Sequence, residues 1–549
     1  MPTHADWWRT AVIYQIYPRS FADSTGDGVG DLPGITARLD ALAELGVDAI
    51  WLSPFYTSPQ KDAGYDVADY TDVDPLFGTI ADFDALRDRA HGLGLKLMID
   101  LVPNHSSSAH PWFQAALAAA PGSKERARYL FRDGRGTDGD VPPNNWQSVF
   151  GGPAWTRVTE SDGTAGQWYL HLFDTSQPDF DWTNEEVWQL FREVLRFWLR
   201  RGVDGFRVDV AHGLAKKAGL PDWTPDLDAD IPQHQQQSPY WAQPAVHEIY
   251  RDWHRVLAEF GPDRILAGEA WVQPLSRLAD WVRPDEMQQT FNFTFLETPW
   301  EAGPLKKVVD DSLAAFGGVG APSTWVLSNH DVIRHATRLG LDPLPPQGQG
   351  IGPKTPTHPD DVVGLRRARA YTAFMLGLPG SAYLYQGEEL GLPEVIDLPD
   401  SARQDPTFFR TGGASYGRDG CRVPIPWTAG APSAGFGPGA ASWLPQPGTW
   451  SDYARNAQLG IPGSTLEFYR TALAARREHR LASNELVWLH EVDGHRADPH
   501  VLAFRSGAVT VVANTGAVPV ARPAGRVVLA SGPIGADTLP GDTTVWVVD

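Results

Sequence analysis

Residues 205–213, GFRVDVAHG, carry the pattern that decides the fold. A short apolar run ends at Asp209, where a buried strand would end. The pattern returns twice: ILAGEAW ends its apolar run before Glu269, and LSNHD ends at Asp331. In a parallel barrel the carboxyl ends of the strands meet at one rim, where catalytic residues collect. The sequence therefore predicts that these three carboxylates share one site.

Eight strand-like runs alternate with helix-like stretches such as ITARLDALAELG and DFDALRDRAHGLG. The runs are AVIYQIYP (11–18), VDAIWLSP (47–54), LKLMIDLVP (95–103), VDGFRVDVA (203–211), RILAGEAWV (264–272), TFNFTF (290–295), STWVLSNHD (323–331) and SAYLYQGEEL (381–390). Repeated strand–helix units with right-handed crossovers build a parallel sheet. Eight units favour an α/β fold of the (β/α)8 TIM barrel type over an open doubly wound sheet.

Two stretches interrupt the alternation, and the end of the chain changes character. We expect residues 1–105 and 176–475 to form the barrel and residues 106–175, which follow the third strand, to form an inserted subdomain. Residues 391–440 form a second, Gly- and Pro-rich interruption. Short apolar runs separated by turns predict a C-terminal antiparallel β domain, sandwich-like, over residues 476–549.

Composition restricts the partners and the compartment. A formal net charge of -21 argues against nucleic acid and anionic membranes, which attract basic patches. The single cysteine, Cys421, excludes an intrachain disulfide. The N-terminus lacks a basic segment followed by an apolar stretch, and no window has the apolar length of a membrane span. We expect a cytoplasmic protein that is a monomer or a small homo-oligomer and binds a neutral small molecule.

Seven motifs carry a family resemblance. They occur in the order DLVPNH, QPDFDW, GFRVDV, GEAW, LSNHD, QGEELG and GRDGCRVPIPW. With these motifs the chain resembles the α-amylase superfamily of retaining glycoside hydrolases, and within it the α-glucosidase and oligo-1,6-glucosidase group. Retaining enzymes use two carboxyl groups about 5–5.5 Å apart, one as nucleophile and one as acid and then base.

The resemblance assigns separate catalytic roles to the three acids. Asp209 would be the nucleophile, and Arg207, two residues earlier on the same strand face, would keep it ionised. Glu269 would be the general acid and then the general base. Trp271 would lower the local polarity and thereby raise the pKa of Glu269. Asp331 would bind sugar hydroxyls and help to distort the ring toward the transition state.

Further residues are expected to bind the sugar. By resemblance, His105 and His330 donate hydrogen bonds to hydroxyls in the −1 subsite, each beside an asparagine, Asn104 or Asn329. Asp100 would position Arg207 or Asp209 from behind.

Another group is expected to close the pocket. Asp62 and Arg422 resemble a pair that ends the pocket of exo-acting members, and Tyr65 would stack on the terminal ring. Arg418, in the same motif as Arg422, is a further candidate for this role.

Val210 bears on the linkage that is cut. Valine after the nucleophile accompanies α-1,6 activity in related enzymes, but Ala211, His212 and Gly213 depart from the usual α-1,6 pattern, as does Pro426 in PIPW. We therefore expect an exo-acting α-glucosidase for short α-1,4-linked oligosaccharides such as maltose. Two alternatives stay open: an oligo-1,6-glucosidase, and a transglycosylase of the sucrose isomerase or trehalose synthase type. A non-catalytic transporter subunit of the same superfamily is disfavoured because the catalytic acids are present.

Residues 23–31, DSTGDGVGD, resemble the start of a calcium loop. An EF-hand would require Glu at the twelfth position, which is Gly34, so this is not an EF-hand. The resemblance implies a structural Ca²⁺ or Mg²⁺ and no cofactor for the chemistry. Its ligands would be the side chains of Asp23, Thr25, Asp27 and Asp31 and the carbonyl of Val29.

Overall fold

Eight parallel strands form the wall of the molecule. The structure is a computed structural model, and it describes residues 4–226, 237–344, 348–492, 495–496 and 498–548. The strands are β1 (Val12–Ile16), β2 (Ala49–Leu52), β3 (Lys96–Leu101), β4 (Gly205–Val208), β5 (Ile265–Gly268), β6 (Gln289–Thr290), β7 (Thr324–Val326) and β8 (Ser381–Tyr385). Their order in the sheet is β6-β5-β4-β3-β2-β1-β8-β7. Between β6 and β7 one backbone bond, from Asn292 N to Thr324 O at 3.1 Å, bridges the seam, so the barrel is nearly closed.

Eight helices follow the strands and surround the barrel. They are α1 (Leu32–Leu45), α2 (Ile80–Gly92), α3 (Glu185–Arg200), α4 (Val246–Ala258), α5 (Leu275–Leu278), α6 (Ala302–Gly318), α7 (Asp361–Gly377) and α8 (Thr465–Glu478). Local sequence sets their ends: a Thr79–Asp82 capping box begins α2, and Gly46 in the left-handed region ends α1. The alternation of strand and helix confirms the predicted (β/α)8 barrel.

Side chains that point inward from the strands fill the barrel. They belong to one buried apolar cluster that includes Ile13, Trp51, Met98, Ile265 and Tyr383. Because the interior is packed, a ligand has access only at the ends of the strands.

The sixth predicted strand is shorter than expected. Only Gln289–Thr290 pair with β5, and Phe293–Glu297 form a helix. The prediction of a strand over 290–295 is wrong beyond Thr290, because the Asn292 side chain accepts a hydrogen bond from Phe295 N and caps a helix there.

The predicted insertion contains a small antiparallel sheet. Its strands, in the order of pairing, are Phe131–Arg132, Ala165–Leu170 and Trp155–Thr159. A two-stranded sheet, Tyr56–Thr57 with Asp69–Val73, lies between β2 and α2. Short helices elsewhere are Pro111–Ala118, His335–Arg338, Pro406–Arg410, Trp450–Tyr453 and Arg455–Gln458. The exact domain boundaries stay a prediction.

The C-terminal part is an antiparallel β unit, as predicted. Five strands pair in the order Leu486–Trp488, Val501–Ser506, Val509–Asn514, Thr543–Val548 and Arg526–Ala530. Shorter strands are Glu491–Val492 with His495–Arg496 and Val520–Ala521 with Thr538–Leu539. The Trp546 indole donates to Ala373 O at 3.1 Å, which docks the sheet on α7. Within the described ranges, no helix has the length and apolarity to cross a membrane.

Candidate active site

Arg207, on β4, joins the ends of three neighbouring strands. Its Nη1 atom lies 2.7 Å from Asp209 Oδ1 and 2.9 Å from Asp100 Oδ1. Its Nη2 atom lies 3.5 Å from Glu269 Oε2. The guanidinium is 2% exposed, so solvent screens these contacts little. The expected pairing of Arg207 with Asp209 is present, and one cation gathers the proposed nucleophile and the proposed acid.

Two N–H groups hold the Glu269 carboxyl group. Val210 N donates to Oε2 at 2.7 Å, and the Trp271 indole donates to Oε1 at 2.8 Å. Trp271 in turn stacks on Phe293, with ring centroids 4.0 Å apart and planes 9° apart. The residue before Glu269 is Gly268, where a larger side chain would not fit, because a Cβ atom there would lie 2.7 Å from Met287 Sδ. The position of Glu269 is therefore fixed from both sides.

Charge and burial oppose each other at this pair. Burial raises the pKa of Asp209, Arg207 lowers it, and the neighbouring Glu269 raises it again. Burial likewise raises the pKa of Glu269 against the lowering effects of Arg207 and Val210 N. The two acids thus hold a proton between them to a higher pH than a solvated carboxyl would. The pKa of Glu269 is raised overall, as expected, with burial as the largest cause, but the indole N–H of Trp271 itself stabilises the carboxylate and acts to lower that pKa.

Asp331 lies beyond β7 between two guanidinium groups and a histidine. Its Oδ1 accepts from Arg418 Nη1 at 3.0 Å and Arg422 Nη2 at 2.9 Å, and its Oδ2 lies 3.2 Å from His330 Nε2. Burial acts to raise the pKa of Asp331, but His330, Arg418 and Arg422 together hold it below the usual value. Asp331 is therefore an anion at neutral pH.

The buried pair that Asp62 forms differs from the prediction. Its Oδ1 contacts Arg418 Nη2 at 2.8 Å, whereas Arg422 contacts Asp331. Arg418 Nε also binds Asp405 at 2.5 Å, so this one guanidinium links three carboxylates. Burial raises the pKa of Asp62 to about 6 despite Arg418 and Arg422. The direct partner of Asp62 is thus Arg418, and Arg422 is one contact away through Asp331; the role of Asp62 and Arg422 at the end of the pocket stays a prediction.

His330 is enclosed by aromatic rings. Tyr65 lies parallel to it at 5.2 Å and 5°, and Tyr17 lies on the other side at 5.5 Å and 22°. The Tyr65 hydroxyl donates to Asp100 Oδ2 at 3.0 Å. Burial lowers the pKa of His330 well below its usual value, so it is neutral. His330 thus covers one face of the Tyr65 ring, the Arg207 guanidinium also lies over this ring at 5.9 Å, and Tyr65 is buried. The stacking of Tyr65 on a sugar ring stays a prediction.

His105 lies in a network that sequence reasoning only partly identified. Its Nε2 lies 3.1 Å from Tyr65 O and its Nδ1 lies 3.2 Å from Asn104 Nδ2. Asn104 Oδ1 accepts from Lys216 Nζ at 2.7 Å, and the same ammonium lies 2.9 Å from Asp179. Burial lowers the pKa of His105 to about 4, so the ring is neutral.

Several supporting residues were missed by sequence reasoning. They are Gln177, which donates to Asp62 Oδ2 at 3.1 Å, and Asp179, Lys216 and Asp405. The first two belong to the motif QPDFDW and could have been found there. Asn329 Oδ1 accepts a hydrogen bond from Asp331 N at 2.8 Å within the turn.

The proposed metal loop uses two of its acids for its own backbone. Asp23 accepts from the amides of Thr25, Gly26 and Gly28, while Asp31 accepts from Gly34 N and caps α1. The described ranges contain no group of three or more His, Cys, Asp or Glu side chains that could hold a metal ion. Two of the predicted ligands, Asp23 and Asp31, are thus engaged by backbone amides, and the metal stays a prediction.

Paired acids at the strand ends of a (β/α)8 barrel are the arrangement that a glycoside hydrolase uses, and the comparisons with known proteins place the chain in that class. The chain belongs to the α-amylase family, since the family model for the alpha amylase catalytic domain matches residues 15–485.

Known relatives cover most of the chain. A probable alpha-glucosidase of Rhizobium meliloti is 40% identical over 88% of this chain and 85% of its own. The oligo-1,6-glucosidase of Parageobacillus thermoglucosidasius is 35% identical over 86% and 84%. A crystal structure of an alpha-glucosyl transfer enzyme superposes with a TM-score of 0.83 at 37% identity, covering 99% of each chain.

Proposed function

We propose that this glycosidase is a retaining, exo-acting α-glucosidase that releases α-glucose from the non-reducing end of short α-1,4-linked oligosaccharides. The observation that carries the proposal is the placement of Asp209 and Glu269 on one guanidinium, that of Arg207. Two carboxyl groups held together, one beside a cation and one between N–H donors, suit a nucleophile and an acid/base.

The first half-reaction forms a covalent intermediate. An Asp209 oxygen attacks the anomeric carbon of the terminal glucose while Glu269 gives its proton to the glycosidic oxygen. The bond between that carbon and the glycosidic oxygen breaks, and the shortened sugar leaves with the proton. Asp209 is then esterified, Glu269 is an anion, and Arg207 has one carboxylate charge fewer to balance at Asp209.

The second half-reaction regenerates the enzyme. Glu269 takes a proton from water, whose oxygen attacks the anomeric carbon and displaces Asp209 as a carboxylate. Two inversions give net retention, so the product is α-glucose. Asp331 is an anion held by Arg418 and Arg422. We propose that it accepts hydrogen bonds from sugar hydroxyls and stabilises the positive charge that develops on the ring.

The Asp62–Arg418 pair supports exo action. The two side chains are 2.8 Å apart and buried, with Asp62 4% and Arg418 13% exposed, which is the arrangement expected of a pair that closes the pocket beyond the terminal glucose. An oligosaccharide would then enter the pocket only by its terminal glucose. Tyr65, His105 and His330 lie beside this end and are proposed to bind that glucose.

Two related activities are the alternatives, each with its own support. Val210 favours α-1,6 cleavage of isomaltose-like substrates, as in the oligo-1,6-glucosidase relative. The alpha-glucosyl transfer enzyme supports transglucosylation, in which a sugar and not water captures the intermediate. A sucrose isomerase or trehalose synthase would be the limiting case of such capture.

Product analysis on maltose, isomaltose, maltotriose, sucrose and trehalose tests the proposal. We expect glucose as the main product, with maltose cleaved faster than isomaltose and transfer products only at high substrate concentration. Rearranged disaccharide with almost no free glucose would overturn hydrolysis. The cytoplasmic location and the monomeric or small oligomeric state stay predictions.

A further inference from the structure

Besides the Arg207 guanidinium, the Glu269 carboxyl group is contacted by the side chain of Trp271. Trp271 lies two residues along the chain and donates its indole N–H to Oε1 at 2.8 Å. An indole can only donate, so this contact favours the carboxylate over the neutral acid. Val210 N, also a pure donor, already occupies Oε2.

We propose that Trp271 is a positioning residue that holds Glu269 in the orientation and charge balance needed for both the acid step and the base step. The inference rests on the proposed role of Glu269. Trp271 can act in this way because its ring is itself fixed by stacking on Phe293 at 4.0 Å. A fixed donor keeps one oxygen in place, whichever half-reaction is under way.

The two steps make opposite demands on one group. Glu269 must carry a proton when the substrate arrives and must be an anion when water is activated. Burial raises the pKa of Glu269, which favours the protonated acid over the anion. The hydrogen bond from the indole N–H acts in the opposite direction and favours the anion that the base step needs.

Other charges face Glu269 and must be considered together with the indole. They are Arg207 and Asp209 at the end of β4, Asp100 at the end of β3, Asp331 beyond β7, and Tyr250 on α4. Arg207 lowers the pKa of Glu269 and Asp331 raises it. None of these groups is altered by a change at Trp271, which makes the contribution of the indole separable.

The test is the pH dependence of kcat/KM for maltose in Trp271→Phe. Phenylalanine keeps an aromatic ring against Phe293 and lacks only the N–H donor. We expect the basic limb to move to higher pH by about 0.5–1 unit, because a lost hydrogen bond to the anion raises the pKa of the acid. Trp271→Gln, which restores a donor, should bring the limb back toward that of the wild type.

A matched control is Trp188→Phe on α3, where the indole donates to Trp182 O and does not touch the acids. Its pH profile should coincide with that of the wild type. If Trp271→Phe lowers the melting temperature too far to assay, Trp271→Leu serves as a second variant without a donor. An unchanged basic limb in a folded donor-free variant would overturn the inference.

Glu269→Gln separates this inference from the proposed function. Near-complete loss of maltose cleavage in Glu269→Gln with an unmoved limb in Trp271→Phe would overturn only the role of Trp271. Cleavage by Glu269→Gln within tenfold of the wild type would overturn the assignment of Glu269 itself and, with it, the inference.

Discussion

The backbone N–H of Val210 lies 2.7 Å from Glu269 Oε2, and Val210 itself has a φ of +46°. A β-branched residue rarely adopts this left-handed backbone, which costs about 1–2 kcal/mol. Two further backbone bonds hold the turn, from Ala211 N to Glu269 O and from Gly213 N to Val210 O, each 2.8 Å. The residue after the proposed nucleophile thus aims a donor at the proposed acid.

The first prediction concerns linkage preference at the same residue. In Val210→Ala we expect the ratio of kcat/KM for maltose to that for isomaltose to rise by about tenfold, within the range that one or two methyl groups can produce. Steady-state kinetics on both disaccharides measure it. Val362→Ala, at a position 76% exposed on α7, is the control. A ratio that stays within twofold would remove Val210 from the determinants of linkage.

The second prediction concerns Arg418. In Arg418→Met the carboxylates of Asp62, Asp331 and Asp405 lose a shared partner, and a buried carboxylate left unpaired costs about 3–5 kcal/mol. We expect kcat/KM for maltose to fall by roughly 10²-fold or more and the melting temperature to drop. Arg477→Met removes an exposed partner of Asp48 and should change the melting temperature little. Equal behaviour of the two variants would refute the role of Arg418.

Arg418 also shows where sequence reasoning stops. The spacing of Arg207 and Asp209 correctly predicts their contact, because residues two apart in a strand share a face. The partner of Asp62 could not be chosen in the same way, since Arg418 and Arg422 flank the short 3₁₀ helix Asp419–Cys421 and both reach the pocket. Only the turn geometry decides which guanidinium meets which carboxylate.

The barrel was predictable for a related reason. Each apolar run must be buried, and eight such runs separated by amphipathic stretches leave few other topologies. The failure at residues 290–295 is local: alternating aromatics predict a strand, but Asn292 caps a helix instead. The indole of Trp271 was likewise visible in GEAW, while the direction of its N–H was not.

The third prediction concerns stability and Glu388, a buried residue outside the active site. Burial raises its pKa from 4.5 to about 8. A group whose pKa is raised in the folded state adds to the free energy of unfolding. This contribution is fully present below about pH 4.5 and is lost as the pH rises toward 8. Glu388→Gln should therefore unfold at a higher temperature than the wild type at pH 8, with little difference at pH 4. Thermal melts across that range measure it, and a gap that does not widen with pH would contradict it.

The fourth prediction concerns divalent cations and the loop over residues 23–31. The chemistry assigned to Asp209 and Glu269 uses no metal, so treatment with EDTA should leave kcat for maltose unchanged. If the loop binds Ca²⁺, added Ca²⁺ will raise the melting temperature of the wild type but not that of Asp27→Ala, an exposed position. Identical melts with and without Ca²⁺ would leave the loop as a helix-capping turn and refute the predicted metal.

The central claim is that Asp209 becomes covalently bonded to glucose. A fluorinated α-glucosyl fluoride that slows the second half-reaction should trap the intermediate, and peptide mapping by mass spectrometry then locates the sugar. We predict one glucosyl adduct on the peptide that contains Asp209, and none in Asp209→Asn, whose activity should fall by roughly 10³-fold or more. An adduct on another residue, or turnover by Asp209→Asn within tenfold of the wild type, would contradict the account.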